Sequence, residues 1–151
     1  MGGKLYGTTE QGGGSSNCAG QIGCGTVFSV TTAGKEKVIY AFQGGNDGND
    51  PSAGLTRIGS TLYGTTQEGG GTGCQGYQIA GCGTVFSVTK EGKEAVVYAF
   101  QNAPDANAPS AGLINVGGTL YGTSTAGGAN GSDGAVFSVT PAGVRDSPSL
   151  L

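Results

Sequence analysis

The chain has 151 residues, of which 33 are glycine, and its 7 Lys and Arg against 10 Asp and Glu give a formal net charge of −3. Nucleic acid is excluded as a partner because phosphate binding requires clustered Lys and Arg, and no membrane span is expected because no apolar run approaches the roughly 20 residues that cross a bilayer as a helix. Histidine is absent from the sequence, which excludes Ser-His-Asp, Cys-His and histidine-metal chemistry because each requires an imidazole as base or ligand.

One seven-residue stretch recurs and organises the rest of the chain. It reads Gly-Thr-Val-Phe-Ser-Val-Thr twice and Gly-Ala-Val-Phe-Ser-Val-Thr once, at residues 25–31, 83–89 and 134–140. A Leu-Tyr-Gly-Thr sequence precedes each copy, and its tyrosines, Tyr6, Tyr63 and Tyr121, are 57 and 58 residues apart. A period of this length fits the kelch class of propeller blades, near 50 residues, better than leucine-rich, ankyrin or tetratricopeptide repeats.

The middle repeat, residues 53–110, is complete and defines the predicted unit. Short runs of apolar and β-branched residues, separated by glycine or polar turns, indicate four strands joined as an antiparallel meander. A longer polar segment with two prolines, residues 101–110, then crosses to the next unit. The four predicted strands are residues 53–58, 61–66, 84–89 and 94–100.

The fourth predicted strand is apolar on both faces. The run Val96-Val97-Tyr98-Ala99-Phe100 carries apolar side chains at odd and even positions alike. A sheet that is buried on both faces needs a neighbour on each side, and stacking meanders radially supplies both neighbours. The sequence therefore predicts an all-β fold of kelch-like β-propeller blades, with about two and a half to three repeats in an incomplete ring.

The two end repeats are predicted to be incomplete. Repeat 1, residues 1–52, lacks its first strand, and repeat 3, residues 111–143, lacks its last strand. Residues 144–151 depart from the pattern and are expected to form a tail that is disordered or docks on a neighbouring copy. Closed propellers need about four blades or more, and unpaired strand edges recruit partners. We therefore expect a homo-oligomer joined through the terminal strand edges, as a ring or an open array, or a chain cut from a longer product.

Four cysteines precede two of the three recurrent stretches, as Cys18 with Cys24 and Cys74 with Cys82. Two similar loops closed at equivalent places favour two local disulfides, which predicts an extracellular or periplasmic protein. The alternative is a zinc ion held by four thiolates. It fits less well because zinc clusters usually have cysteines two to four residues apart.

Several motifs together resemble the GloVer tandem repeat of secreted bacterial proteins. They are residues 62–66 (LYGTT), 69–70 (GG), 83–86 (GTVF) and 97–100 (VYAF), with an Asp-x-x-x-Pro-Ser-Ala-Gly-Leu segment. The resemblance covers residues 5–139. It implies an exported protein with a propeller-like fold, and it implies no activity.

Carboxylates remain as candidates for chemistry. Asp47 and Asp50 lie among Asn and Gly residues, a composition that suits either a calcium loop or an Asx-rich turn. The turn is favoured because the matching segment of the next repeat keeps only Asp105. Glu10 and Glu68 sit beside glycine loops and are expected to be solvated, in preference to acting as a general acid and base.

Tyr77 lies in the second cysteine loop and has no counterpart elsewhere. It is the strongest candidate for a ligand contact, with Glu68 and Glu10 behind it, whereas the three recurrent tyrosines are expected in the core. The functional hypothesis is a non-enzymatic extracellular module for binding or structural assembly, without a cofactor apart from the calcium candidate. The alternatives are a glycan-binding lectin assembled from several chains and a subunit of a head-to-tail extracellular fibre, so the expected partners are further copies, a glycan or a surface protein.

Overall fold

The computed structural model describes residues 3–18, 22–71, 73–74, 81–101 and 103–149, the last four of these by their backbone alone. Regular structure in this part of the chain is β-strand, apart from one turn of 3-10 helix at Gly45–Asp47. None of these residues belongs to a helix that is long and apolar enough to cross a membrane. The strands are β1 (Lys4–Thr9), β2 (Thr26–Thr31), β3 (Glu36–Ala41), β4 (Thr56–Ile58), β5 (Thr61–Thr66), β6 (Thr84–Val88), β7 (Glu94–Ala99), β8 (Ala106–Pro109), β9 (Ile114–Val116), β10 (Thr119–Gly127), β11 (Ala135–Val139) and β12 (Arg145–Ser149).

The strands form three antiparallel sheets, which confirms the predicted all-β class. Sheet I has the order β1-β2-β3 and sheet II the order β4-β5-β6-β7. Sheet III has the order β12-β11-β10-β8, with β9 also pairing with β10. The recurrent stretch forms the equivalent strand of each sheet, β2, β6 and β11, and pairs each time with the strand that carries the Tyr-Gly sequence.

The same glycine turn follows the recurrent stretch in all three sheets. Gly34, Gly92 and Gly143 have φ of 79°, 90° and 80°, in the left-handed region that glycine adopts without steric cost. Each donates its backbone N–H to the threonine carbonyl three residues earlier, over 2.9, 3.0 and 2.9 Å. The turn reverses the chain, so that the next segment returns along the strand that it has just left.

This turn corrects the prediction for the end of the chain. We predicted a third repeat without its last strand and a tail at residues 144–151, but β12 occupies the position of the fourth strand and pairs with β11. Backbone pairing depends on the turn and on the open edge of β11, and both are present. The sequence pattern failed here because residues 145–149 (RDSPS) lack the apolar run that marked β3 and β7.

The crossing segments pair with the sheet that they lead to. Residues 101–110 were predicted as a polar connection, yet they contain β8, which pairs with the far end of β10. In the crossing from sheet I to sheet II, Asn49 and Glu68 exchange two backbone hydrogen bonds of 2.9 and 3.2 Å. Each crossing therefore attaches one sheet to the next through the backbone.

The apolar core lies between the sheets in two clusters. Phe42, which follows β3, packs edge-on against Phe86 of sheet II with ring centroids 5.0 Å apart. Phe100, which follows β7, packs in the same way against Phe137 of sheet III at 4.7 Å. Such a pair contributes about 0.5–1.5 kcal/mol beyond the apolar area that it buries. Sheet II is buried on both faces, since Phe86 lies in one cluster and Val85 in the other, as the apolar pattern predicted.

The glycine after each recurrent tyrosine accommodates an aromatic ring. A Cβ added at Gly64 would lie 2.6 Å from the ring of Phe86, its partner on the neighbouring strand. A Cβ added at Gly122 would lie 2.5 Å from the ring of Phe137. The ring of the paired phenylalanine therefore occupies the space that a side chain at this glycine would need.

Candidate functional site

The interfaces between sheets share one docking element, an extended Ala-Gly-Leu segment at the start of repeats 2 and 3. At the first interface the Thr8 hydroxyl of sheet I donates to the Ala53 carbonyl over 2.9 Å, and Leu55 packs against the core cluster. At the second interface the Thr65 hydroxyl of sheet II donates to the Ala111 carbonyl over 3.4 Å. Leu113 is buried there, and its carbonyl accepts a hydrogen bond from the Thr56 hydroxyl. The face of sheets I and II that carries this threonine therefore binds the segment that begins the next repeat.

A tyrosine and an aspartate fix the crossing segment at each interface. Asp47 accepts hydrogen bonds from the Tyr40 hydroxyl over 2.8 Å and from the Gln43 backbone N–H over 2.6 Å. Asp105 accepts from the Tyr98 hydroxyl over 3.0 Å and from the corresponding backbone N–H over 2.9 Å. Both carboxylates thereby close a turn after the phenylalanine that packs between the sheets.

The charged residue beside this pair differs between the two interfaces. At the first, the neighbour of Asp47 is Glu94: burial, followed by the charge of Asp47, raises the pKa of Glu94 to about 7. Burial, followed by the hydrogen bond to Asp47, also raises the pKa of Tyr40 above its ordinary value. Two carboxyl groups of like charge therefore lie close together at this half-buried position, and their repulsion favours the protonated form of Glu94.

At the second interface the corresponding residue is Arg145. Its guanidinium forms an ion pair with Asp105 and lies over the rings of Tyr98 and Phe100, 5.6 and 5.8 Å from their centroids. Burial lowers the pKa of Arg145, and its interaction with Tyr98 opposes that shift. This arrangement combines a charge-assisted hydrogen bond with two cation–π contacts.

The structure separates the acidic residues that the sequence singled out. Asp47 accepts the hydrogen bonds from Tyr40 and Gln43 that close the turn after Phe42. Burial first, and then the negative charges of Glu10 and Glu68, raise the pKa of Asp50 above its ordinary value. Glu10 is exposed. Glu68 is buried, and its carboxylate accepts a 3.1 Å hydrogen bond from the Asn49 side chain, so the prediction that Glu68 is solvated is wrong because the crossing segment covers it.

The metal prediction and the ligand prediction both stay predictions. Within the described residues, no group of three or more His, Cys, Asp or Glu could hold a metal ion; the calcium site at Asp47 and Asp50 stays a prediction. Tyr77 lies outside the described residues, so the proposed glycan contact also stays a prediction.

The four cysteines form the two predicted disulfides, Cys18 with Cys24 and Cys74 with Cys82. No free cysteine is present, so the zinc alternative is wrong. The Cys24 carbonyl accepts a hydrogen bond from the backbone of Asp50 over 3.3 Å, and the Cys82 carbonyl accepts the equivalent bond over 3.0 Å. The second cysteine of each disulfide therefore holds the crossing segment through a backbone hydrogen bond.

The outer faces of the two end sheets expose residues that are buried inside the molecule. On sheet III, Tyr121 is 38 % exposed, whereas Tyr63 at the same place in sheet II is 7 % exposed. On sheet I, Leu5 is 68 % exposed, whereas the corresponding Leu62 is 3 % exposed. A cavity of about 170 Å³ opens on the face of sheet III and is lined by Gly112, Ile114, Tyr121, Gly122, Thr123 and Val136.

Sequence reasoning missed three parts of this site. The threonines that bind the Ala-Gly-Leu segment recur as Thr8, Thr65 and Thr123, and that recurrence was an available signal. The contact of Glu94 and Arg145 with equivalent aspartates had no signal in the sequence, because the two residues are unlike in charge. The burial of Glu68 depends on the crossing segment between sheets I and II, where Asn49 pairs with it.

Comparisons with known proteins show the family. A profile described as the Gloeobacter/Verrucomicrobia repeat matches residues 1–148. The comparisons with curated proteins and with solved structures found no match. The chain therefore belongs to the Gloeobacter/Verrucomicrobia repeat family, which confirms the resemblance that its motifs predicted.

Proposed function

We propose that this protein is a non-enzymatic, extracellular assembly module whose sheets are kelch-like propeller blades that join further copies through their outer faces. One observation carries the proposal. The outer faces of sheets I and III present the same residues that form the buried interfaces inside the molecule, and Leu5 and Tyr121 are exposed where their counterparts are buried. A heterologous contact between two unlike faces forms a ring if its rotation closes and a fibre if it does not.

Other features support the extracellular and non-enzymatic parts of the proposal. Two disulfides are typical of proteins outside the reducing cytosol. The sequence has no histidine. The most buried carboxylates stabilise the fold, since Asp105 forms an ion pair with Arg145 and Glu68 accepts a hydrogen bond from Asn49. The first strands of sheets II and III, β4 and β9, contact each other, an arrangement that suits blades converging on an axis.

The mass in solution tests the proposal. We expect light scattering to give a mass that is a multiple of the 14.7 kDa chain, and Leu5→Asp to reduce it to that of the monomer because a charge cannot be buried in an apolar interface without a partner. Val144→Asp is the matched control, since Val144 is 60 % exposed in the turn after β11 and belongs neither to β1, which carries Leu5, nor to β10, which carries Tyr121. A wild-type chain that stays monomeric at every concentration refutes the assembly function.

Electron microscopy distinguishes the two forms of assembly. A discrete particle of fixed size indicates a closed ring, and long polymers indicate the head-to-tail fibre.

A further inference from the structure

The outer face of sheet III has the features that bind Ala-Gly-Leu elsewhere in the molecule. Thr123 stands where Thr8 and Thr65 donate hydrogen bonds to an alanine carbonyl on sheets I and II. Its side chain is exposed. Tyr121 and Val136 stand where Tyr63 and Val85 contribute to the core cluster that includes Leu113, and they line the cavity of about 170 Å³.

The cavity is large enough for one aliphatic side chain. An apolar protein cavity of about 150 Å³ accommodates a benzene-sized group, so a leucine side chain fits this cavity of about 170 Å³. Gly112 borders the cavity and leaves room for a second backbone beside it, since a Cβ added at Gly112 would lie 3.6 Å from the Gly54 carbonyl oxygen at the interior interface. One donor is missing: Ile114 replaces Thr56, whose hydroxyl binds the Leu113 carbonyl.

We propose that this cavity binds an extended Ala-Gly-Leu segment supplied by a repeat on another polypeptide chain. The alanine carbonyl accepts a hydrogen bond from Thr123, the glycine passes Gly112, and the leucine side chain enters between Tyr121 and Val136. The inference rests on the proposed function, because it assigns to one outer face the contact made at each interior interface. It goes further by naming the sequence that the partner must contribute.

The two Ala-Gly-Leu segments of the sequence, residues 53–55 and 111–113, are both engaged inside the molecule. The partner is a chain in which an Ala-Gly-Leu segment is extended and available.

A peptide with the sequence of residues 108–116 (APSAGLINV) tests the inference on the full chain. We expect fluorescence anisotropy of the labelled peptide to saturate at one peptide per chain, and amide shifts in nuclear magnetic resonance spectra to concentrate at Tyr121, Thr123 and Val136. Replacing the leucine of the peptide by alanine should weaken binding about tenfold or more, because most of the buried apolar side chain is lost.

Variants of the protein locate the site. Thr123→Val keeps the shape of the side chain but removes the donor, and it should weaken binding about threefold to tenfold. Thr32→Val is the matched control: Thr32 is exposed in the turn after β2, and its loss should leave peptide binding unchanged.

The outcomes separate this inference from the proposed function. A folded chain that binds no peptide, or that binds it equally well after the leucine substitution or the Thr123 variant, overturns the inference. If the protein self-assembles and the peptide neither binds to the assembly nor dissociates it, a second copy covers the cavity. This result also overturns the inference, whereas the assembly function survives. Peptide binding by a chain that stays monomeric supports the inference and refutes self-assembly.

Discussion

The two interior interfaces have the same scaffold and opposite electrostatics. Both contain a phenylalanine pair, an Ala-Gly-Leu segment and a tyrosine bonded to an aspartate. They differ in the charged residue beside the aspartate, which is Glu94 beside Asp47 at the first interface and Arg145 beside Asp105 at the second. The comparison indicates that apolar packing and backbone pairing specify how the sheets dock, and that one charged position sets how each interface responds to pH.

The first interface should weaken as the pH rises. The pKa of Glu94 is raised from 4.5 to about 7 in the folded chain, so the folded state holds this proton more tightly than the unfolded state does. The resulting stabilisation is present below pH 4.5 and is lost as the pH increases to about 7. The second interface contains Arg145, which stays charged throughout this range.

Removing either phenylalanine that bridges two sheets should have the largest effect, and it should be similar at both interfaces. Phe42 and Phe100 are fully buried, so Phe42→Ala and Phe100→Ala should each lower the free energy of unfolding by about 3–5 kcal/mol. Urea denaturation measures both values. A loss below about 1 kcal/mol for either variant would contradict the shared scaffold.

Removing the arginine should have a smaller effect that is confined to the second interface. Arg145→Met retains an alkyl side chain but leaves the buried Asp105 carboxylate without its ion-pair partner. We expect a loss of about 2–3 kcal/mol, below the full value for a buried pair because the hydrogen bonds from Tyr98 and Gln101 continue to stabilise the Asp105 carboxylate.

Thermal denaturation and urea titration of Arg145→Met measure this loss at pH 7. Lys93→Met is the control, because Lys93 is exposed and its loss should change the unfolding free energy by no more than about 0.5 kcal/mol. Equal stability of the two variants would mean that the ion pair has no structural role.

Neutralising Glu94 should have the smallest effect and the opposite sign. Glu94→Gln should stabilise the chain by about 1 kcal/mol at pH 8, where the native carboxylate is ionised beside Asp47, and by nothing measurable at pH 4. The full value of such a pKa shift is larger, but water screens this half-exposed side chain.

Urea denaturation of Glu94→Gln at pH 4 and pH 8 gives the pH dependence. Glu36→Gln is the matched control, since Glu36 begins β3 as Glu94 begins β7 and its side chain is exposed. If both variants show the same pH dependence, the effect does not come from the interface.

Local repetition made much of the fold predictable. The recurrent Val-Phe-Ser-Val stretch appears as β2, β6 and β11, because its apolar alternation is strong and its turns contain glycine. β12 and β8 were missed because their pairing depends on the turn at Gly143 and on the extended edge of β10, and neither leaves an apolar pattern in the paired segment.

The candidate site was less predictable than the fold. The disulfides could be paired from the sequence because their partners are close together along the chain. The contacts of Glu94 with Asp47 and of Arg145 with Asp105 join residues 47 and 40 positions apart, and they arise only when one sheet is stacked on the next. The alternation of apolar and polar residues along one strand carries no information about such a contact.

The burial of Tyr121 in the assembled protein tests the central claim most directly. We expect a crystal or cryo-electron microscopy structure of the assembled form to show Tyr121 buried to the level of Tyr63, with the outer face of sheet III covered by another repeat. An assembled form in which Tyr121 and the cavity beside it stay open to solvent would contradict the claim that the outer faces act as the interior interfaces do.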